Sequence, residues 1–460
     1  MKLFKDKKIT IMGLGLLGGG VGVAEFFCKQ GAKVLVTDLK TKEELKESLL
    51  KLKGFKIDYI LGRHREEDFI NTDLVIRNPG VPKESYFLKV AKEHKVPVET
   101  DITIFLKLCK AQIVGITGTK GKSTVATLVY RLLKTKYPNT ILAGNIGVSP
   151  LELLSKTTEK SRVVLELSSF ELEDLKKSPK VAVVTCIFAD HLNRYKNLGE
   201  YIEAKKIIFK YQKKNDILVL NYDNLRTKRF SSLAPSRIYF YSTKTIPKEK
   251  EVKKFGCFLK KNEIFFNGEK KPICDIKNLK IYGTHNILNV LGAVSVAKIF
   301  KVSSKNIKKI LLDFKGVSNR QEFIREIKGV KYFNDTTATM PEATEAALRT
   351  FSQRFPNSRI VLIAGGQNKK LDYKNLVKEI QKKVNYLILL PGTASKKLKK
   401  ELPKNVKVIF VGSMETAVNK AGKIAKKGDI VLLSPGAASF NLFKNEFDRG
   451  KQFVKFVKEK

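Results

Sequence analysis

"GITGTKGKSTVATLVY", residues 115–130, is a strand-like run, a tight glycine turn and an apolar helical run. The glycines free the backbone to wrap around phosphate groups, Lys122 supplies positive charge, and Ser123 offers a hydroxyl to Mg²⁺. The strict spacing G-x-x-x-x-G-K-[ST] fails by one residue, because Ile116 stands where the first glycine is expected. We predict that this turn binds a nucleoside triphosphate.

A second glycine turn, GLGLLG at residues 13–18, lies between a strand-like run and a helical run. Its spacing, with Asp38 at the end of the next predicted strand, is typical of a turn that binds a pyrophosphate at the start of a helix. A tight turn without a ligand is the alternative. The motif alone does not distinguish NAD from another diphosphate such as UDP.

Strand-like and helical runs alternate along the chain and predict parallel sheets in three α/β blocks. Residues 231–280 are predicted to form antiparallel hairpins attached to the middle sheet. The predicted fold is a Rossmann-like N-terminal domain at 1–105, a P-loop ATPase-like central domain at 106–301 and a Rossmann-like C-terminal domain at 302–460. The predicted strands lie at 9–12, 33–38, 73–81, 96–101, 111–118, 161–169, 180–188, 359–366, 386–392, 406–413 and 429–437.

The composition, with 43% hydrophobic and 29% charged residues, is that of a globular protein. We find neither a secretory signal pattern nor an apolar run of the roughly 18 residues that a membrane helix needs. The five scattered cysteines lack C-x-x-C spacing and predict a reducing, cytoplasmic setting. The net charge of +44 favours anionic ligands, but the lysines are dispersed over predicted helix faces. We therefore expect no nucleic-acid or membrane partner, and we expect a monomer.

Residues downstream of the phosphate turn bear on its chemistry. Glu166 ends a buried-looking strand, where its carboxylate is suited to complete a Mg²⁺ shell. Asp190, His191 and Arg194 follow another strand end, and these neighbours favour a ligand role for the histidine. Taken alone, these residues leave kinase, GTPase and ligase open.

In order along essentially the whole chain, the sequence resembles the Mur ligase family. The strings that carry the resemblance are GLGLLG, GITGTKGKST, AGNIG, ELSSFELE, DHLNRY, YIEAKK, GTHNILN, NDTTAT, AGGQNKKLDY and LLSPGAASFNLFKNEFDRG. The first, fourth and last of these resemble the glutamate-adding branch most closely. The resemblance implies that ATP converts a carboxylate into an acyl phosphate, which an amino acid then attacks. The implied reactants are UDP-N-acetylmuramoyl-L-alanine, glutamate as the D enantiomer, and ATP with two Mg²⁺ ions.

The resemblance also assigns roles to individual residues. The expected catalytic residues are Lys122, Glu166, His191 and Lys205. Those expected to bind ATP are Gly118, Thr119, Lys120, Gly121, Lys122, Ser123, Thr124, Asn286, Asn289, Arg320 and Asp335. Mg²⁺ is expected on Ser123, Glu166, His191 and a Lys205 carbamylated by CO₂, with Lys206 the weaker candidate. The UDP-linked substrate is expected on Gly15, Leu16, Leu17, Thr37, Asp38 and Asn145, and glutamate on Thr339, Lys369, Ser439 and Phe447.

Two positions depart from the family pattern. Thr337 stands where a lysine is common near the amino-acid site, which leaves the handedness of glutamate open. Lys120 replaces a common asparagine in the phosphate turn and adds positive charge there. One alternative is a ligase for another amino acid or a folate-like acceptor, although a folate-type enzyme would not need GLGLLG. Another is an ATP-dependent nucleic-acid-binding protein, which the net charge of +44 suggests.

Overall fold

The computed structural model describes residues 3–15, 19–146, 148–190, 194–244, 255–281, 283–368, 371–403, 405–440 and 442–460. The chain divides into two compact units, Met1–Lys277 with Leu288–Leu311 and Asn278–Ile287 with Leu312–Lys460. Across the described residues, no helix is both long and apolar enough to cross a membrane. The chain folds as mixed α/β structure around three sheets.

The first sheet has five parallel strands in the order β3-β2-β1-β4-β5. Its strands are β1 (Lys8–Met12), β2 (Lys33–Asp38), β3 (Ile57–Leu61), β4 (Leu74–Arg77) and β5 (Val98–Glu99). Its helices are α1 (Gly19–Lys29), α2 (Lys46–Lys51), α3 (Glu67–Ile70), α4 (Tyr86–Glu93) and α5 (Asp101–Leu108). The strand order reverses between β1 and β4, so the loops after these strands border the crevice where such sheets bind ligands. The strand β3 was not predicted.

The second sheet has nine strands in the order β14-β13-β12-β11-β10-β9-β6-β8-β7. They are β6 (Gln112–Thr117), β7 (Thr140–Gly144), β8 (Arg162–Glu166), β9 (Val181–Val184), β10 (Ile217–Asn221), β11 (Arg237–Ser242), β12 (Phe255–Lys260), β13 (Glu263–Phe266) and β14 (Cys274–Asp275). The helices that follow β6 are α6 (Lys122–Lys134), α7 (Ser169–Leu172), α8 (Leu198–Lys210), α9 (Leu225–Arg229), α10 (Thr284–Ile299) and α11 (Ser304–Asp313). Because β6 lies between β8 and β9, the loops that follow these three parallel strands meet at one edge.

The prediction of antiparallel hairpins at 231–280 is confirmed for β12, β13 and β14. It is wrong for β11, which pairs in parallel with β10. β11 continues the parallel sheet beside β10, and this pairing sets its direction. The short alternating sequence of β11 does not reveal that direction.

The third sheet has six strands in the order β15-β16-β20-β17-β18-β19. They are β15 (Glu322–Ile327), β16 (Val330–Asn334), β17 (Ile360–Gly365), β18 (Val384–Leu390), β19 (Val408–Phe410) and β20 (Ile430–Leu433). The helices are α12 (Pro341–Arg354), α13 (Lys374–Lys383), α14 (Thr393–Glu401), α15 (Met414–Ile424) and α16 (Glu446–Lys458). Apolar residues of α12, α13 and α14 pack on one face and those of α15 and α16 on the other.

Within the first unit, a buried ion pair joins the two sheet regions. The Arg77 guanidinium, 2% exposed at the end of β4, donates to Asp174 beyond α7 and to the carbonyl of Val81 at 2.5 Å. Lys83 also contacts Asp174, at 3.1 Å. The Asp174 carboxylate therefore neutralises a buried cation at the junction between the two sheet regions.

We predict that Asp174→Ala lowers the free energy of unfolding of the first unit by about 3 kcal/mol, because it leaves the Arg77 charge buried without its partner. Lys7→Ala removes the ion pair of Lys7 with Asp73, in which both side chains are exposed, and should cost less than about 1 kcal/mol. Denaturant titrations of the full chain measure both changes. Equal costs for the two variants would contradict the prediction.

Candidate functional site

The phosphate turn after β6 has a backbone that requires glycine at two positions. Gly118 has φ +142° and Gly121 has φ +85°, both in the region that favours glycine. A Cβ at Gly118 would lie 2.0 Å from Thr185 Oγ1, and one at Gly121 would lie 2.2 Å from Asn289 Oδ1. The turn is thus held between the loop after β9 and helix α10.

Hydrogen bonds of Thr119 and Lys122 fix the shape of the turn. Thr119 donates its amide to the carbonyl of Cys186 at 2.7 Å, and its hydroxyl lies 3.0 Å from Tyr201 Oη. The Lys122 ammonium donates to the carbonyls of Gly118 at 3.0 Å and Thr119 at 3.2 Å. A cation therefore lies against the turn, at the start of α6, where phosphate binds in such turns.

Glu166 lies at the buried end of β8 and is 1% exposed. Its Oε1 accepts from Asn145 Nδ2 at 3.1 Å, whereas Oε2 has no hydrogen-bond partner among the described residues. A buried carboxylate oxygen without a donor is costly unless a cation meets it. This oxygen therefore fits a hard metal ion such as Mg²⁺.

Lys205 on α8 is 1% exposed, and its Nζ donates to Thr117 Oγ1 at 3.0 Å. Burial, and then the nearby Lys122 charge, hold the pKa of Lys205 well below its usual value. A neutral buried amine is the form that can add CO₂. The neighbouring Lys206 instead pairs with Glu203 at 2.6 Å.

The predicted Mg²⁺ ligands Ser123, Glu166 and Lys205 are described, whereas His191 lies outside the described residues. In the described part of the chain, no three His, Cys, Asp or Glu side chains cluster as a metal site. Any ion held there would depend on a mixed set of hydroxyl and carboxylate-like oxygens. The free oxygen of Glu166 and the lowered pKa of the Lys205 amine are consistent with such a set.

Glu171 was not among the predicted site residues, although the sequence ELSSFELE, which contains it, places Ser168 three residues before it. Ser168 and Glu171 form a capping box at α7: the Ser168 amide and hydroxyl both donate to Glu171 Oε2 at 2.6 Å. Burial, and then the Asp101 charge, raise the pKa of Glu171 to about 7. The box fixes the turn that directly follows Glu166.

The glycine turn after β1 is closed by a residue of the chain itself. Gly13 and Gly15 have φ +90° and +68°, and the Leu14 and Gly15 amides donate to Asp38 Oδ2 at 2.8 and 3.2 Å. Asp38 is 5% exposed, so its carboxylate shapes the turn. The Thr37 hydroxyl lies 2.7 Å from His64 Nδ1. Leu16 and Leu17 lie outside the described residues.

In the second unit, Asp335 lies after β16 and accepts from the Gln321 amide at 3.2 Å and from the Ser434 hydroxyl at 2.8 Å. These bonds bring the segment of Arg320 to the carboxyl end of β16.

Asn286 and Asn289 both lie on α10, as their spacing predicts, and Asn289 is the one beside Gly121.

Of the predicted glutamate residues that the structure describes, two lie on turns of the second unit and one lies on α16. Thr339 follows β16, Ser439 follows β20 and is 3% exposed, and Phe447 on α16 is 43% exposed. Lys369 lies outside the described residues. The Thr337 hydroxyl, where a family lysine is common, donates to the carbonyl of Asn319 at 3.0 Å.

Arg449 on α16 joins these two turns and was also missed from the sequence. It is fully buried, and its guanidinium donates to Thr336 Oγ1 at 3.1 Å, Thr336 O at 2.8 Å and Ala437 O at 3.1 Å. Burial lowers the pKa of Arg449 to about 10, so the side chain remains charged at neutral pH. Its hydrogen bonds link the turn after β16 to the turn after β20, so Arg449 is a positioning residue.

Comparisons with known proteins identify the family of this chain. Sequence models match residues 7–100 as a Mur ligase MurD-like N-terminal domain, 116–297 as a Mur ligase middle domain and 319–436 as a Mur ligase glutamate ligase domain. A Roseiflexus sp. (strain RS-1) protein named UDP-N-acetylmuramoylalanine--D-glutamate ligase is 41% identical over 98% of both chains. A Clostridium tetani protein of the same name is 35% identical over 99% of this chain and 98% of its own.

Solved structures show the same fold at low sequence identity. The UDP-N-acetylmuramate-alanine ligase MurC from Thermotoga maritima superimposes with a TM-score of 0.66 at 20% identity, over 98% of this chain and 99% of that one. MurF ligase from the same organism, in complex with ADP, gives a TM-score of 0.59 at 16% identity, over 100% and 96% of the two chains. With three domain models matched in order and full-length relatives above 30% identity, the chain belongs to the Mur ligase family.

Proposed function

We propose that this protein uses ATP to join D-glutamate to UDP-N-acetylmuramoyl-L-alanine in the cytoplasmic synthesis of a peptidoglycan precursor. The observation that carries the proposal is the edge formed by β6, β8 and β9, where a phosphate turn lies with a buried carboxylate and a buried lysine. The substrates are inferred from relatives named UDP-N-acetylmuramoylalanine--D-glutamate ligase, which are similar to this chain over nearly their full length.

The reaction needs ATP because a carboxylate is a poor electrophile. Transfer of the γ-phosphoryl group to the alanyl carboxylate gives an acyl phosphate and ADP. The glutamate amine then attacks its carbonyl carbon, and the tetrahedral intermediate expels phosphate as the amide forms. The protein holds three anionic reactants together and balances the charge that develops. Lys122, which lies against the carbonyls of its own turn, would instead meet the phosphates.

We assign two Mg²⁺ ions to Ser123, Glu166, His191 and carbamylated Lys205. When bound, these ions would neutralise phosphate oxygens and polarise the groups between which phosphoryl transfer occurs. Glu166 supports this assignment through its unpartnered Oε2, and Lys205 through its burial and its lowered pKa. Ser123 or Thr124 supplies the hydroxyl at the start of α6.

Three domains would hold the three reactants: 1–105 the UDP-linked substrate, 106–301 ATP, and 302–460 glutamate with part of the nucleotide. These boundaries keep each sheet within one domain. The remaining ATP contacts are Gly118, Thr119, Lys120, Gly121, Asn286, Asn289, Arg320 and Asp335. The uridine-side contacts are Gly15, Leu16, Leu17, Thr37, Asp38 and Asn145, and the glutamate contacts are Thr339, Lys369, Ser439 and Phe447.

The direct test is phosphate release with ATP, UDP-N-acetylmuramoyl-L-alanine and a panel of D- and L-amino acids. Release should require the UDP-linked substrate and D-glutamate together. Lys122→Ala should lower the rate at least ~100-fold, because it removes charge that stabilises phosphoryl transfer. Lys134→Ala, at the other end of the same helix, is the matched control. Release without an acceptor, or an active Lys122→Ala variant, would count against the proposal.

Lys205→Met should abolish ligase activity and yet stabilise the protein at neutral pH in CO₂-free buffer. In the unfolded chain Lys205 binds a proton at pH 7, whereas burial disfavours that proton in the folded chain. Stability of the unmodified protein therefore rises with pH, and the advantage of the variant should shrink towards the ordinary lysine pKa of about 10.4. Unfolding titrations at several pH values measure this.

The control for this experiment is Lys206→Met, which removes the adjacent lysine that pairs with Glu203. It should retain activity and show no comparable gain in stability. A Lys205→Met protein that still makes product would refute the role of the amine.

Arg449→Lys should raise the KM for glutamate about tenfold while the KM for ATP changes little, because one ammonium cannot reach the three oxygens that the guanidinium joins. Steady-state kinetics with each substrate varied in turn separate the two effects. Arg325→Lys is the control, since that exposed guanidinium donates to the carbonyl of Lys458 at 3.1 Å. A uniform fall in kcat with unchanged KM values would rule out a positioning role for Arg449.

A further inference from the structure

Helix α1 approaches the second sheet region of the first unit as closely as glycine allows. A Cβ at Gly22 would lie 2.9 Å from Ser149 Cβ and 3.0 Å from Glu152 Oε2. Contacts under 3.0 Å are not made by real Cβ atoms, and Gly22 is buried in the helix. Any larger residue would push α1 and the segment of Ser149 apart.

The segment that Gly22 contacts is the one that holds Glu166. Ser149 donates its hydroxyl to Asp101 Oδ2 at 3.3 Å, and the Val148 carbonyl accepts from the Gly144 amide at 3.0 Å. Asn145 then donates its amide to the Glu166 carbonyl at 2.9 Å and its side chain to Glu166 Oε1 at 3.1 Å. The loop after β7 therefore meets α1 at one end and the carboxylate at the other.

The start of α1 packs against the first glycine turn. The helix begins at Gly19, and a Cβ at Gly20 would lie 2.2 Å from the carbonyl oxygen of Leu14. Leu14 in turn is held through its amide by Asp38 at 2.8 Å. Helix α1 is thus in close contact with the turn at its start and with the Ser149 segment one turn later.

We propose that Gly22 is a positioning residue: through its contact with Ser149, α1 sets the loop whose Asn145 orients the Glu166 carboxylate. The inference rests on the proposed function for its consequence, because it couples the turn that would hold the UDP-linked substrate to the carboxylate that would hold Mg²⁺. Its structural content, the placement of Asn145 on Glu166, is independent of any substrate.

The test is a double-variant cycle of Gly22→Ala, Ser149→Gly and their combination. Gly22→Ala should lower kcat at least ~10-fold, since small displacements of catalytic groups cost that much or more, and should leave the KM for ATP within about threefold. Ser149→Gly removes the Cβ that the new methyl would meet. The combined variant should therefore recover the kcat of Ser149→Gly alone, which a general loss of stability would not do. Ser149→Ala reports the separate effect of losing the hydroxyl bond to Asp101.

Hydrogen exchange gives a readout that needs no activity. The amide of Asn145, bonded to Glu166, should exchange at least ~10-fold faster in Gly22→Ala and return to the Ser149→Gly rate in the combined variant. Gly19→Ala adds the same methyl to the same helix where nothing lies within 4 Å, and its thermal midpoint controls for helix propensity.

Wild-type kcat and exchange in Gly22→Ala, or a combined variant as impaired as Gly22→Ala, would overturn the inference. A wild-type protein without substrate-dependent phosphate release would refute the proposed function. The exchange rates would still decide whether Gly22 positions Glu166.

Discussion

The burial of charge at the carboxyl edge of the second sheet constrains the whole site. Glu166 keeps one carboxylate oxygen without a donor among the described residues, and burial, followed by the Lys122 charge, holds the pKa of Lys205 well below its usual value. Neither arrangement favours the folded state by itself. Both would become favourable if cations and phosphate oxygens completed the site as proposed, which requires the surrounding sheet to hold them in advance. The strand β6 pairs with β8 on one side and with β9 on the other, and it lies inside the sheet, third from one edge.

In each glycine turn a charged side chain is hydrogen-bonded to the backbone, but the two charges have opposite sign. In the first, the chain places the Asp38 carboxylate on the amides of Leu14 and Gly15. In the second, it places the Lys122 ammonium on the carbonyls of Gly118 and Thr119. An anion reaching the first turn must use other donors near the helix start, whereas an anion reaching the second meets a cation that can turn towards it. The second turn is therefore the better site for a highly charged ligand.

Much of this architecture is predictable from the sequence because parallel strands are nearly continuous apolar runs followed by glycine turns. The prediction misses β3, whose residues are only partly buried, the strands β7 and β10, and the β15–β16 hairpin. That hairpin turns through Lys328 and Gly329 with φ +48° and +78°, and a lysine in this conformation gives no turn signal. The direction of β11 is set by its pairing with neighbouring strands, and the local alternation of apolar and polar residues does not reveal it.

A motif names candidate site residues such as Lys122 and Glu166, whereas a residue that acts through another carries no such signal in the sequence. Arg449 and Glu171 lie within the motifs named above, but Thr336, which accepts from Arg449, and Asp101, whose charge acts on Glu171, come from distant segments. Gly22 shows the same limit, since its need for glycine arises from Ser149 and not from its own helix.

The proposed carbamylation of Lys205 has a consequence for the composition of the protein. If the Lys205 amine adds CO₂ reversibly, as proposed, the covalent composition of the chain depends on the atmosphere above the solution. Two preparations with identical sequence and fold, one degassed and one equilibrated with air, would then differ by a single carboxylate at Nζ. Mass, net charge and metal affinity would differ between them without any change of conformation.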